Sequence, residues 1–207
     1  MKKAVIWDLD GTLLDSYDVI VESIHQTFLE QDIVCAKDEI HQHAIRFSIS
    51  SLFSAYAQQY HIDVQVLRQR YSQISSGMYL DIKVMNHGRE VLQALTKQGV
   101  ENYVFTHRGK TTIPVLDNLG LTPFFREIIT SQHGFARKPD CEGLLYLMSK
   151  YNLDPAHTCY VGDRRLDMEC ARNAGVPGIL FMPEGSLDVS GSETYLIKDL
   201  LDLLYIQ

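Results

Sequence analysis

The chain has 207 residues, 45% hydrophobic and 22% charged, with a formal net charge of −7. That length holds one sizeable core, or a core and a small second domain. The composition is that of a folded soluble protein, and the acidic balance argues against general nucleic-acid binding. No run approaches the roughly 18 apolar residues of a membrane span. The Met1-Lys2-Lys3 start runs into a strand too short and too quickly acidic for a signal peptide, so a cytoplasmic protein without a membrane partner is expected. None of Cys35, Cys141, Cys159 and Cys170 forms a C-x-x-C pair, which predicts reduced thiols and not a zinc or redox motif.

Ala4-Val5-Ile6-Trp7 is a short apolar run that ends in Asp8-Leu9-Asp10-Gly11-Thr12. It reads as a buried strand with two carboxylates at its mouth and a glycine that lets the chain turn. Ionised groups in such a place need a cation or donors around them, and oxygen ligands suit Mg²⁺. Residues 16–82 then show helical spacing: Tyr17, Val21, Ile24 and Phe28, next Leu52, Tyr56 and Tyr60, last Leu67, Tyr71, Ile74 and Met78. These predict a helical bundle whose tyrosines and Met78 pack its interior.

From about residue 83 strands and helices alternate. Val91, Leu92 and Leu95 predict a helix stopping near Gly99; Tyr103-Val104-Phe105 is a strand; Ile113, Leu116 and Leu119 predict a helix with Pro114 in its first turn. Ile128-Ile129 is a strand, Leu144, Leu147 and Tyr151 carry a helix, and Cys159-Tyr160-Val161 is a strand. Leu166, Cys170 and Ala174 carry a helix ended by Gly175, Gly178–Phe181 is a further strand, and residues 195–205 are read as a closing strand and helix. This alternation predicts an α/β fold with a doubly wound, mostly parallel sheet and right-handed crossovers. The predicted organisation is an α/β core of residues 1–15 and 83–207 interrupted by a helical domain, 16–82, with connecting segments near Leu14–Tyr17 and Asp81–Met85.

In open α/β sheets ligands bind beyond the carboxyl ends of the strands. There the first strand presents Asp8, Asp10 and Thr12, and the second Thr106-His107-Arg108-Gly109. Arg137-Lys138-Pro139 follows the third, and the fourth ends in Gly162-Asp163-Arg164-Arg165-Leu166-Asp167. A carboxylate nucleophile, a second carboxylate for proton transfer, a hydroxyl and a lysine for the equatorial oxygens, and acids for a divalent cation are the parts of phosphoryl transfer. Competing structural readings exist. Thr106 fits a cap for a helix near Lys110, Asp167 a first-turn helix charge, and Asp15-Ser16 a helix start. Arg108, Lys110, Arg137, Lys138, Arg164 and Arg165 place six of the nineteen Lys and Arg in these loops, a local positive ring for an anionic substrate.

Taken together, Asp8-x-Asp10-Gly-Thr12, Thr106, Lys138 and Gly162-Asp163-x-x-x-Asp167 resemble the four motifs of haloacid dehalogenase-type phosphatases, in order and across residues 1 to about 182. The resemblance implies a Rossmann-like core with an inserted mobile helical cap. It makes Asp8 the nucleophile, Asp10 the general acid/base, and Thr106 and Lys138 the phosphoryl-binding residues. Mg²⁺ would be held by Asp8, the Asp10 carbonyl and Asp163, with Asp167 orienting Lys138 or a water. His107 and Arg108 stand where relatives often carry an Asn-Lys pair, and are expected to meet substrate. Within the helical domain Arg46 is the residue expected to meet a second anionic group. His41 and His43, two apart, point to different helix faces and do not form a zinc pair. The expected activity is Mg²⁺-dependent hydrolysis of a small phosphorylated metabolite, phosphoglycolate phosphatase-like, by a monomer or homodimer. The alternatives are a phosphosugar mutase, a pyrophosphate- or nucleotide-cleaving enzyme, and a non-catalytic interaction protein on the same fold, which the intact Asp8, Asp10, Lys138 and Asp163 disfavour.

Overall fold

The computed structural model describes residues 3–186 and 189–206; Met1 and Lys2, read above as leading into the first strand, lie outside them. The chain divides into two compact units, one running from Ser16 to Ile82 and the other formed by the chain up to Asp15 together with everything from Lys83 onward.

The first of these is all helical. Four helices follow one another: α1 (Tyr17–Leu29), α2 (Lys37–Arg46), α3 (Ile49–Tyr60) and α4 (Val64–Gly77). Ser48 caps α3 by accepting the Ser51 N–H, and Asp63 caps α4 by accepting that of Gln65, each satisfying a donor that a helix start leaves free. Ile24, Phe28, Ile33, Ile40, Leu52, Phe53 and Leu67 are buried at its centre, each worth about 1.5–3 kcal/mol relative to exposure. Phe28 and Phe53 meet edge to face at 5.9 Å, and Phe53 meets Tyr71 in the same way at 5.5 Å. Tyr17, Tyr56, Tyr60 and Tyr71 pack partly buried against this cluster, as their spacing predicts. His41 lies against Tyr17, whereas His43 turns to Ser51 and Phe47, so the two histidines do separate.

The second unit begins with β1 (Ala4–Trp7) and carries β2 (Leu14–Asp15), β3 (Lys83–Val84), α5 (Gly88–Lys97), β4 (Glu101–Phe105), α6 (Thr112–Asn118), β5 (Phe125–Ile129), α7 (Glu142–Tyr151), β6 (Thr158–Gly162), α8 (Arg165–Ala174), β7 (Gly178–Phe181) and β8 (Tyr195–Ile197). Six strands form one parallel sheet in the order β5-β4-β1-β6-β7-β8. Ala4, Ile6, Tyr103, Phe105 and Tyr160 share a buried cluster with Leu144, Leu147, Cys170 and Ala171 of α7 and α8. The alternate residues Val5, Trp7, Val104 and Val161 are buried as well, the pattern of a parallel sheet covered on both faces. Glycine in the left-handed region closes α8 at Gly175, φ 72°.

Three local readings change. Leu14–Asp15 and Lys83–Val84, predicted only as connecting segments, pair as a two-stranded antiparallel ladder. In α6 the buried residues are Thr112, Val115 and Leu116, while Ile113 is exposed. Beyond β8, residues Leu200–Tyr205 close as a 3-10 helix, not an α-helix. Among the described residues no helix is long and apolar enough to cross a membrane.

Candidate active site

The sheet order decides what meets at its edge. β1 lies between β4 and β6, with Trp7 level with Val104 on one side and Val161 on the other. Asp8, Thr106 and Asp163 therefore leave the sheet side by side. The strand order also reverses at β1, which is where open α/β sheets leave a crevice. Asp8 N still donates to Val161 O, and Thr106 N to Ile129 O, so both backbones are fixed before the loops depart. Leu9 O accepts from Thr12 N and Leu14 N, with Gly11 at φ 80°. The tight turn is why Asp10 and Thr12 come back to the strand mouth.

Lys138 organises the centre. Its side chain is fully buried, with Nζ 2.9 Å from Asp8 Oδ1 and 2.7 Å from Asp167 Oδ1. Its ammonium also lies 5.5 Å from the centre of the Phe105 ring and 5.3 Å from that of Tyr160. Burial works against that charge, but the Asp167 and Asp8 carboxylates outweigh it and hold the Lys138 pKa above its ordinary value. Burial pushes the Asp8 carboxyl up; Lys138 draws it down, and the nearby Asp167 charge adds to the rise. One ammonium is thus shared by two buried acids.

Both oxygens of Asp167 are engaged. Its Oδ1 accepts from Lys138 Nζ and from the Tyr160 hydroxyl at 3.3 Å, and its Oδ2 from Arg164 N at 3.1 Å. The Tyr160 hydroxyl stands 3.0 Å from Phe105 O as well. Gly162 makes room for this carboxylate, since a Cβ there would fall 2.4 to 2.7 Å from the Asp167 side chain. Asp163 Oδ1 accepts from Thr12 Oγ1 at 3.1 Å.

One oxygen each of Asp8, Asp163 and Asp167 lie within 4.8 Å of one another. Asp8 Oδ2 is buried and accepts no hydrogen bond; the Arg164 guanidinium stands 4.0 Å away. A buried, unsatisfied carboxylate oxygen beside a second acid fits a hard divalent cation, whose preferred ligands are oxygens of this kind. Asp8 and Asp163 fit as ligands. Asp167, with both oxygens engaged, fits as the residue that holds Lys138.

Asp10 pairs with Arg108, Nη1 to Oδ1 at 2.5 Å, in a half-buried position. Thr106 is buried, and its Oγ1 accepts from Arg108 N at 3.1 Å. It does not cap the next helix, which starts six residues later behind Thr111. His107 Nε2 accepts the Lys138 main-chain N–H at 2.9 Å. Burial, with the Lys138, Arg137 and Arg164 charges adding to it, lowers the His107 pKa to about 2, so the ring is neutral. The structure thus brings together Asp8, Asp10, Thr106, His107, Arg108, Lys138, Asp163 and Asp167. Arg46 belongs to the helical unit, exposed at the last position of α2, where a cation suits the helix carbonyl end.

A family model described as haloacid dehalogenase-like hydrolase matches residues 5–181. The chain belongs to this family. It is 29% identical over 185 residues to a phosphoglycolate phosphatase of Pseudomonas putida, spanning 85% of this chain and 68% of that protein. It is 25% identical over 219 residues to the pyrophosphatase PpaX of Bacillus velezensis, spanning 98% and 95% of the two chains. A crystal structure of a predicted phosphoglycolate phosphatase from Haemophilus somnus superposes with a TM-score of 0.87 at 20% identity, over 99% of this chain and 97% of the other. At that identity the likeness speaks for the fold.

Two residues of this hydrolase's site escaped the sequence reading. The sequence places Tyr160 only in a strand, although a buried tyrosine needs a partner for its hydroxyl, and that requirement is the available signal. It places Arg164 only in the positive ring, yet the Arg164 main chain holds Asp167 and its guanidinium faces Asp8.

Proposed function

We propose that the protein is a Mg²⁺-dependent phosphatase that hydrolyses small phosphate monoesters through an aspartyl-phosphate on Asp8. The observation that carries this reading is the Asp8 carboxylate itself: Oδ1 is held by Lys138, Oδ2 is buried and accepts no hydrogen bond, and one oxygen of the group lies within 4.8 Å of one of Asp163. The membership of the haloacid dehalogenase-like hydrolases and the likeness to a protein named phosphoglycolate phosphatase support it.

In this mechanism Asp8, the Asp10 carbonyl and Asp163 would hold the Mg²⁺. When bound, the ion offsets repulsion between the Asp8 carboxylate and an anionic ester. A carboxylate oxygen of Asp8 attacks phosphorus as the bond to the leaving oxygen breaks. The Asp10 carboxyl, released from Arg108 and protonated from solvent, gives that proton to the leaving oxygen. Lys138 and Thr106 hold equatorial oxygens of the transferring group, where charge spreads in a loose transition state. Water then attacks the phosphorus of the aspartyl-phosphate. Asp10 takes the water's proton, and Asp8 is regenerated with release of phosphate. The helical unit, residues 16–82, is assigned to substrate selection as a cap, with Arg46 its candidate for a second anionic group.

A second reading, hydrolysis of a phosphoanhydride, is favoured by the end-to-end likeness to the protein named pyrophosphatase. Phosphate release from a panel of 2-phosphoglycolate, pyrophosphate, nucleotides and sugar phosphates, with and without excess chelator, tests both. Release is expected from at least one monoester in Mg²⁺ and not in chelator, and Asp8→Asn is expected to abolish it while the fold remains. Normal turnover by Asp8→Asn would remove the nucleophile from this account. Isomerised sugar phosphate without net phosphate release would favour a mutase.

A further inference from the structure

Lys138 joins Asp8 to Asp167 at hydrogen-bonding distance, while the Arg164 guanidinium stands 4.0 Å from each, and a displacement of about 1 Å at such a centre is enough to cost a large factor in rate. Its Nζ is held by the two carboxylates and lies over the Phe105 and Tyr160 rings, 5.5 and 5.3 Å from their centres. The backbone end of the residue is fixed by something else. The Lys138 N–H points at His107 Nε2, 2.9 Å away and 31 residues earlier in the chain. That nitrogen can accept only if the proton of the neutral ring sits on Nδ1.

The loop carrying His107 is itself tied down. Arg108 N donates to Thr106 Oγ1, and Arg108 O accepts from Ser131 N. His107 also meets the Phe105 ring edge to face at 6.4 Å. The link therefore runs from the end of β4, through a rigid turn and one imidazole, to the main chain of the lysine.

We propose that His107 is a positioning residue: by accepting the Lys138 main-chain N–H it sets the Lys138 ammonium between Asp8 and Asp167, and it does not itself touch the substrate. This rests on the reading that Lys138 acts at the phosphoryl group. The ring suits the task because it stays neutral. Burial and the Lys138, Arg137 and Arg164 charges keep its pKa near 2, so the acceptor lone pair is available throughout the neutral and mildly acidic range.

The test compares His107→Leu, which loses the acceptor, with His107→Gln, whose side-chain oxygen reaches about as far as Nε2. The full-length protein is assayed in Mg²⁺ with p-nitrophenyl phosphate, and exchange of the Lys138 amide is followed by NMR. In His107→Leu we expect kcat to fall about tenfold with KM within about threefold of wild type, the pattern of an interaction felt in the transition state. The Lys138 amide should exchange faster. His107→Gln should restore both. If the leucine variant does not fold, His107→Asn, polar but one methylene shorter, takes its place.

A rise in KM with kcat unchanged would overturn the proposal in favour of substrate contact. Unchanged kcat and unchanged Lys138 exchange in the leucine variant would overturn it outright, as would failure of glutamine to restore either. If the wild-type protein cleaves no phosphate ester, the proposed function falls. The amide exchange would still decide whether His107 holds Lys138.

Discussion

Lys138 stands between two buried acids, so its removal leaves both without their hydrogen-bonded counter-charge, with the Arg164 guanidinium 4.0 Å from each. Losing one partner of a buried ion pair costs about 3–5 kcal/mol, because the remaining charge stays desolvated. Lys138→Met keeps an unbranched side chain of similar length and deletes the charge that lies over the Phe105 and Tyr160 rings. It is expected to lose stability of that order in denaturant unfolding without metal, and to regain part of it when MgCl₂ is added, since a cation binding only the folded state stabilises it. Wild-type stability in the variant would mean that the ammonium contributes nothing to holding the carboxylates. Asp8→Asn works in the other direction: it removes one of two neighbouring acids while Asp167 still partners the lysine, which is why the fold is expected to survive the loss of turnover.

Between elements, the close approach of α7 to β4 depends on a missing side chain. A Cβ on Gly143 would lie 2.5 to 2.9 Å from three atoms of the Phe105 ring, and Phe105 is buried. Gly143→Ala is expected to cost about 1–3 kcal/mol, the usual range for overpacking, and to lower kcat by moving the ring that flanks Lys138. Gly178→Ala, where the nearest atoms are the Met168 sulfur at 3.1 Å and Ala171 Cβ at 3.2 Å, is the control with the smaller expected loss, because a methionine can give way. Thermal unfolding and kcat of the two variants check the pair; equal losses would mean that the Phe105 contact is not special. These contacts also mark what a sequence can show. The strands were legible because β1, β4 and β6 are buried apolar runs with an acid or a hydroxyl just beyond them, and β7 is such a run opened by a glycine. β2 and β3 were not, since two residues carry no periodicity. The buried face of α6 was misplaced because Thr112, a polar residue, shares it with Val115 and Leu116. At the site, residue types and their order announced Asp8, Asp10, Thr106, Lys138 and Asp163. The pairing of Arg108 with Asp10, 98 residues apart, and the acceptor role of His107 are facts of register and loop path that no local pattern encodes.

At the scale of the whole molecule, a group that folding forbids to ionise makes stability depend on pH. His107 has a folded pKa near 2 against about 6.5 in the unfolded chain. Below 6.5 the unfolded chain therefore binds a proton that the folded protein does not, and stability must fall as pH falls. The contribution is complete above 6.5 and drains away from there down towards 2. For one such proton the loss between pH 7.5 and 5.5 is about 1.4 kcal/mol. Other titrating groups contribute in the same window, so the wild-type curve alone does not isolate His107. His107→Gln does, since glutamine keeps the acceptor and cannot take up the proton. The single tryptophan reports the right part of the molecule: Trp7 is fully buried in β1, in the unit that contains His107. Denaturant unfolding followed by its fluorescence at pH 7.5 and 5.5 should show the wild-type protein losing about 1.4 kcal/mol more than the variant over that interval. Equal losses would mean that His107 titrates alike in both states, and that the ring is not held neutral against the Lys138 main chain.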